Sequence, residues 1–591
     1  MFPARRGIYL VSLIQAALCA VQFQHPNDLP GVQYDFVVVG GGNAGAVVAT
    51  RLGGNRDFKV LVIEAGPSND AVFATQVPGL AQNVSGLPLV EWNYTTVAQT
   101  HAGGKADAYG RAMLLGGCTS HNELVYTRGS RDDYDRWASV VGDENLSWDK
   151  LLPYILKAEK WSSPNDPNLS EEGHFDPSVH GLDGKLQTSA PYNPHPLNDL
   201  LLETTKELSD EFPFLLDLND GRPIGIGWQQ NTIGKGVRSS SATGYLSSTG
   251  DNVHVLLNTR VTRILPTTYG GTDIRTVEFA TDPKGPTYNS TATKEVIISG
   301  GVINTPQILL NSGIGPKEEL AAVGIASIVD NPGIGKNFSD QSAISTLFST
   351  NLPSDAFDQT AALAEWSKSH TGRLADPPHM SSLGWVRLPA DANPFKDGSP
   401  DPTGGPNSPH VELFFYNVRP PPDGVDNGPG NTSLLTIVVN LNPVSRGSIT
   451  LAPGSSPFDA PVIDPNLLAS PLDTAILLEG IRSAQRLFSS KAFSGRMFGT
   501  ALPPSNATDA AVVDFIQQNT TPFLHGVGSC GMGPRNANWG AVDPDFKVKG
   551  AKGLRIVDAS IFPYVTSGHT QAAVYAIAEW ASEIIKESWN Q

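Results

Sequence analysis

The stretch "YDFVVVGGGNAGAVVATRL", residues 34–52, decides how the rest of the chain is read. Phe36 to Val39 is an unbroken apolar run, the pattern of a strand buried on both faces of a parallel sheet. It ends in Gly40, Gly42 and Gly45, spaced G-x-G-x-x-G, and residues 46–52 continue as a helix of small side chains. A second apolar strand follows in "FKVLVIEAG" and closes on Glu64, 24 residues beyond Gly40. Strand, glycines, helix, strand and acid stand in the order a dinucleotide fold requires. The glycines let the backbone approach a pyrophosphate, and the helix N-terminus favours its charge. A carboxylate at this spacing meets ribose hydroxyls and disfavours a 2′-phosphate, which leaves FAD or NAD ahead of NADP.

Around this motif lies a chain of 591 residues, with Gly 59, Pro 46 and 40% hydrophobic residues. That suits a large, loop-rich enzyme of two or more parts. The formal net charge of -17 repels phosphate backbones, so no nucleic-acid partner is expected. The chain opens "MFPARRGIYLVSLIQAALCA": Arg5 and Arg6 precede a short apolar run, with small residues Ala17 and Cys19 near its end. This reads as a secretory signal over residues 1–20, too short for a membrane span, and nothing later is long and apolar enough to cross one. A secreted, extracellular enzyme carries a tightly bound FAD outward more readily than it finds free NAD. Of the three cysteines, Cys118 and Cys530 remain after the signal, too few for a disulfide scaffold, and are expected as free thiols. Sequons at Asn83, Asn93, Asn145, Asn168, Asn289, Asn337, Asn431, Asn506 and Asn519 fit a glycoprotein, with Asn337 expected to be buried.

Three further stretches carry chemistry. "LLGGCTSHNELVYTRG", residues 114–129, sets a glycine pair beside a thiol, two hydroxyls and His121. Alone it reads equally as a turn before a strand. His525 in "TPFLHGVGS" and His569 in "YVTSGHTQAAV" are glycine-flanked loop histidines, the residue type suited to proton removal near neutral pH. His174 and His180 lack further ligands for a metal and read as surface or loop groups; no metal is expected. No G-x-S-x-G elbow appears, so a serine hydrolase is unsupported.

Taken together, the chain resembles the glucose-methanol-choline (GMC) flavin oxidoreductases. The dinucleotide motif, "GGVINTPQILLNSGIGP", "NPGIGKNFSDQ" with Gly335, Asn337 and Asp340, and "GLRIVDASIFPYVTSGHTQAAVYAIAEWASEII" with Asp558 follow that family's order. The resemblance implies a fold of class α/β: a Rossmann-like FAD-binding domain, residues 34–340 and 523–591, with a discontinuous substrate-binding domain over 341–522 built on an antiparallel sheet. It implies FAD contacts at Gly40, Gly42, Gly45, Glu64, Gly116, His121, Asn122, Val261 and Asp558. In a subset of the family the glycine-pair segment ends in His-Asn and the histidine is bonded covalently to FAD; by that match His121 is the tether. The resemblance also pairs His525, as general base on the substrate hydroxyl, with His569, which orients the same oxygen. "RSSSATGYL", from Arg238, is expected at the edge of the active site.

Within the family, stretches such as "HPNDLPG", "EFPFLLDLNDGRPIGIGW" and "EGIRSAQRLFSSKAF" resemble the fungal pyranose dehydrogenases. The implied activity is hydride transfer from a sugar hydroxyl carbon to FAD, with a quinone or radical acceptor, by a monomer. Secreted aryl-alcohol oxidases, which reduce oxygen, are the second reading, because Phe523, Phe414 and Phe415 are expected to give the pocket a phenyl-rich wall. A flavin-free binding glycoprotein is the distant third.

Overall fold

In the computed structural model, which describes residues 20–166, 168–191, 195–421 and 431–589, Phe36–Val39 is a strand with every side chain buried. It pairs in parallel with Val60–Ile63 on one side and with Glu295–Ile298 on the other. The six-stranded sheet runs Val21–Phe23, Val253–Leu256, Val60–Ile63, Phe36–Val39, Glu295–Ile298, Leu554–Ile556. After the edge strand Val21–Phe23, the chain enters the middle of the sheet at Phe36–Val39, builds outward to that edge, then returns to build the other way. Its strand order reverses beside Phe36–Val39, and ligands of open parallel sheets bind at such a reversal. The sheet begins earlier than the sequence suggested: Val21–Phe23 pairs with Val253–Leu256, ahead of Tyr34. This edge strand is only three residues long, too short to show a periodicity. The expected signal segment lies, apart from Ala20, outside the described residues.

Helix Asn43–Gly53 follows the first strand with Gly42 at its N-cap. A Cβ at Gly45 would stand 2.0 Å from the Gly40 carbonyl oxygen, so only glycine lets this helix sit against the turn below it. The C-terminal helix Gln571–Trp589 lies against it. Arg51 forks onto the fully buried Glu579, which also accepts from the Tyr245 hydroxyl.

A second, largely antiparallel sheet of eight strands faces the cofactor half. Its centre is Ser342–Thr350, Thr432–Asn440, Val411–Arg419 and Ser382–Val386. It also recruits Gly225–Trp228 and Phe214–Leu215, drawn from the segment that the sequence placed in the cofactor part. "GIGW" has two glycines and no apolar run, so its pairing with Ser382–Val386 had no sequence signal. Helix Pro471–Phe488 covers the back of this sheet, and Phe415 points there, against Phe488.

Among the described residues no helix is long and apolar enough to cross a membrane, and no group of side chains could hold a metal ion. His180 is not a surface group. It is buried between Glu159 and Asp217, at 2.9 and 2.8 Å, in a network that also holds the Arg128 guanidinium. Cys118 and Cys530 are free thiols, and burial pushes that of Cys530 well up. Eight of the nine sequon asparagines are exposed, Asn337 included, and Asn431 is half-buried.

Candidate active site

A cavity of about 480 Å³ lies between the two sheets. Gly40, Gly42, Glu64, His121, Asn122, Val261, Asp558, His525 and His569 all line it. Gly45 and Gly116 do not. They stand behind the wall: Gly45 packs the first helix onto its turn, and the Gly116 N–H donates to the Gly41 carbonyl. Gly116 and Gly117 both have positive φ, and a Cβ on Gly117 would come within 2.8 Å of Gly42 Cα. The segment "LLGGCTSHN" is thus laid directly across the dinucleotide turn, which is why a glycine pair precedes His121.

The dinucleotide side of the cavity is made mostly of backbone. The first helix has no side-chain cap at its N-terminus, so its leading amides are open to an anion. The Glu64 carboxylate accepts from the amides of Gly41 and Gly66, at 2.8 and 2.9 Å, and burial pushes it up to about 7. Asp558 accepts from the Gly301 amide and the Thr305 hydroxyl, capping helix Gly301–Asn311. Asn43 Oδ1, Ser299 Oγ and Gln571 Oε1 are buried without hydrogen-bond partners, and their residues line the cavity. Buried polar atoms of this kind call for a polar ligand. Glycine turn, open helix end, ribose-spaced acid and orphaned polar atoms together fit FAD.

His121 is 8% exposed, and its Nε2 lies 3.4 Å from Glu91 Oε1. That contact holds the Glu91 carboxylate below its usual range. Asn122 Oδ1 accepts from Arg238 at 2.8 Å and from the Leu124 amide at 3.1 Å. Arg238 also donates to the Thr119 carbonyl, and Ser241 bonds Thr119, Gly42 and Gly116. The stretch from Arg238 therefore braces the His121 segment from behind and does not line the cavity.

The other side of the cavity is made of side chains. His525 and His569 meet with ring centroids 4.7 Å apart, although 44 positions separate them. The His525 segment is zipped along residues 339–343: Thr521–Pro522 pairs with the strand start at Ser342 and Ala343, and the Phe523 amide bonds the Gln341 carbonyl. Asp340, pushed up to about 6 by burial, accepts from the His525 amide and the Tyr109 hydroxyl. Gln341 fixes the ring. Its Nε2 donates to the carbonyls of Leu441 and Thr566, both at 3.1 Å, so its Oε1 accepts from His525 Nδ1–H at 2.7 Å. In a neutral imidazole this leaves Nε2 of His525 as the proton acceptor. Burial, with help from His569 and Arg111, holds the His525 pKa well below the ordinary value.

His569 bonds Glu412 through Nε2 at 3.0 Å, and its amide donates to Thr127. Glu412 was missed in the sequence, though its signal was there: in "VELFFYN" the period of two sets Glu412 and Phe414 on one face and turns Phe415 away. Of the two expected phenylalanines on that strand, only Phe414 lines the cavity. Phe523 joins it, at a ring separation of 6.4 Å. Gln341 had no readable signal. Its role depends on carbonyls contributed from two other segments.

The GMC oxidoreductase family model matches in two parts, an N-terminal one over residues 34–343 and a C-terminal one over 443–578. The pyranose dehydrogenase of Agaricus campestris is 54% identical, with all of both chains covered. Pyranose dehydrogenase 3 of Leucoagaricus meleagris is 51% identical over 99% of each. Among solved structures, an FAD-dependent oxidoreductase from Chaetomium thermophilum superposes with a TM-score of 0.82 at 26% identity, covering 94% of this chain and 100% of that one.

Proposed function

The chain belongs to the GMC oxidoreductase family and is an FAD-dependent oxidoreductase, and within that family we propose that it is a pyranose dehydrogenase. The observation that carries this reading is full-length identity above 50% to relatives of that name, together with the convergence of His525 and His569 in the cavity that fits FAD. FAD bound there supplies the hydride acceptor. The chain's own residues supply the acid–base chemistry. His525 Nε2, freed by Gln341 and kept neutral by burial, takes the proton from the sugar hydroxyl as its carbon gives up hydride. His569, paired through Nε2 with Glu412, hydrogen-bonds the same oxygen and orients it. The open helix end, Glu64, Val261 and Asp558 hold the dinucleotide, with Gly45 and Gly116 supporting them from behind.

Three finer points belong to the same proposal. His121 is the covalent attachment point for FAD, supported by its place in the cavity wall beside Asn122. The electron acceptor is a quinone or radical and not oxygen, by likeness to relatives named dehydrogenases. The protein is secreted, glycosylated and monomeric, and the exposed sequons favour the glycosylation. The deciding experiment is anaerobic bleaching of the bound flavin by glucose or by an aryl alcohol, followed by reoxidation with benzoquinone or air. Bleaching by glucose and faster return with benzoquinone is the expected result; bleaching by the aryl alcohol alone, with peroxide released in air, overturns it.

A further inference from the structure

The cavity of the histidine pair also holds a carboxylate that the proposed reaction does not use. Glu123 lines it, two residues beyond His121. The Tyr416 hydroxyl donates to Glu123 Oε1 and Oε2, at 2.8 and 2.9 Å, and accepts from the Gln82 amide. Tyr416 lines the same cavity, its ring 5.6 Å from that of Phe414, which in turn stands 6.0 Å from the ring of His569. The backbone is pinned on both sides. The Glu123 carbonyl accepts from His379 Nε2 at 3.0 Å, and Leu124 is held at φ 75 by the bond from its amide to Asn122. A left-handed leucine costs about 1–2 kcal/mol, so this geometry is imposed by its surroundings.

One hydroxyl proton serves both carboxylate oxygens, whereas a carboxylate offers about four acceptor sites. The unused capacity faces a cavity walled by Phe414 and Phe523, where an unpaired polar group is costly. A ligand that satisfies it brings two adjacent O–H donors and an apolar ring face. A sugar has both after spending its reacting hydroxyl on the histidines; an aryl alcohol has spent its only donor. We infer that the Glu123 carboxylate, aimed by Tyr416, accepts a pair of sugar hydroxyls remote from the reacting carbon and selects polyhydroxylated donors over aryl alcohols. This rests on the donor class proposed above.

The test compares wild type, Glu123→Gln and Tyr416→Phe, each with flavin content checked, on glucose and a panel of monodeoxyglucoses under anaerobic conditions with benzoquinone. Wild type should lose about 10–100-fold in kcat/KM on at least one deoxyglucose, the loss typical of a hydrogen bond to a charged group. Glu123→Gln should lose a similar factor on glucose, mostly in KM, and should penalise that same deoxyglucose far less. Tyr416→Phe should raise KM for glucose in the same direction, which keeps the test open should Glu123→Gln fail to fold. A Glu123→Gln enzyme with the wild-type deoxy pattern overturns this inference alone. A wild type bleached by aryl alcohol and not by glucose overturns the donor class and this inference with it.

Discussion

The two walls of the cavity are built by different means. On the parallel-sheet side the ligand meets backbone: a glycine turn, an open helix end and carboxylates that are themselves held by amides. The glycine turn, the helix end and Glu64 come from one crossover, and Asp558 joins them from the far end of the chain. On the antiparallel side the ligand meets side chains brought from far apart. His525 and Gln341 are separated by 184 positions, His569 and Glu412 by 157, Tyr416 and Glu123 by 293. The first kind of wall recognises what every FAD shares. The second kind can change its donor by changing a few side chains, with the cofactor undisturbed.

This contrast predicts where a single substitution does the most harm. The largest effect is expected at Gly45. A methyl there collides with the Gly40 carbonyl, so Gly45→Ala should yield protein without flavin and without activity. The absorption spectrum of the purified variant checks this, and a yellow, active Gly45→Ala enzyme would break the contrast on the backbone side.

Next comes the proposed base. His525→Ala should keep its flavin and lose about 10²–10⁴-fold in the rate of flavin reduction, with substrate binding less affected. His569→Ala should lose a comparable part, and the double variant less than the product of the two if both rings act on one oxygen as proposed. Anaerobic stopped-flow bleaching measures all three; a His525→Ala enzyme that bleaches at the wild-type rate removes this residue from the reaction.

A smaller effect is expected at His121, which stands on the backbone side but, as the proposed attachment point, would act through its side chain. Acid precipitation of wild type should leave flavin on the protein, whereas His121→Ala should release it while still binding FAD through the remaining contacts. Flavin fully extracted from wild type by acid would refute the tether and leave that wall purely a matter of backbone.

The smallest effect is one of pH. An exposed histidine base would be half protonated near pH 6.5 and the rate would have halved there. Protonation removes the acceptor, so rate is lost as pH falls; burial depresses the His525 pKa, which moves that loss to lower pH. Flavin reduction should therefore stay level from pH 8 down through 6.5. A break at or above 6.5 would mean that His525 is wet in the working enzyme.

What the sequence determined by itself follows from locality. The crossover at residues 34–64, the glycine pair before His121 and the two loop histidines are contiguous patterns. Their physical demands, a turn that tolerates no Cβ or a buried run of β-branched residues, are written in neighbouring letters. Tertiary structure decided the rest. It turned Tyr416 into the cavity at a break in its strand's pairing, set Gly45 and Gly116 behind the wall, put His180 in the interior and brought Gly225–Trp228 into the second sheet. It also gave His525 and His569 their partners, Gln341 and Glu412. Strand register and the docking of distant segments fix those placements, and a side chain such as Gln341 has its role only because three carbonyls and one imidazole reach it at once.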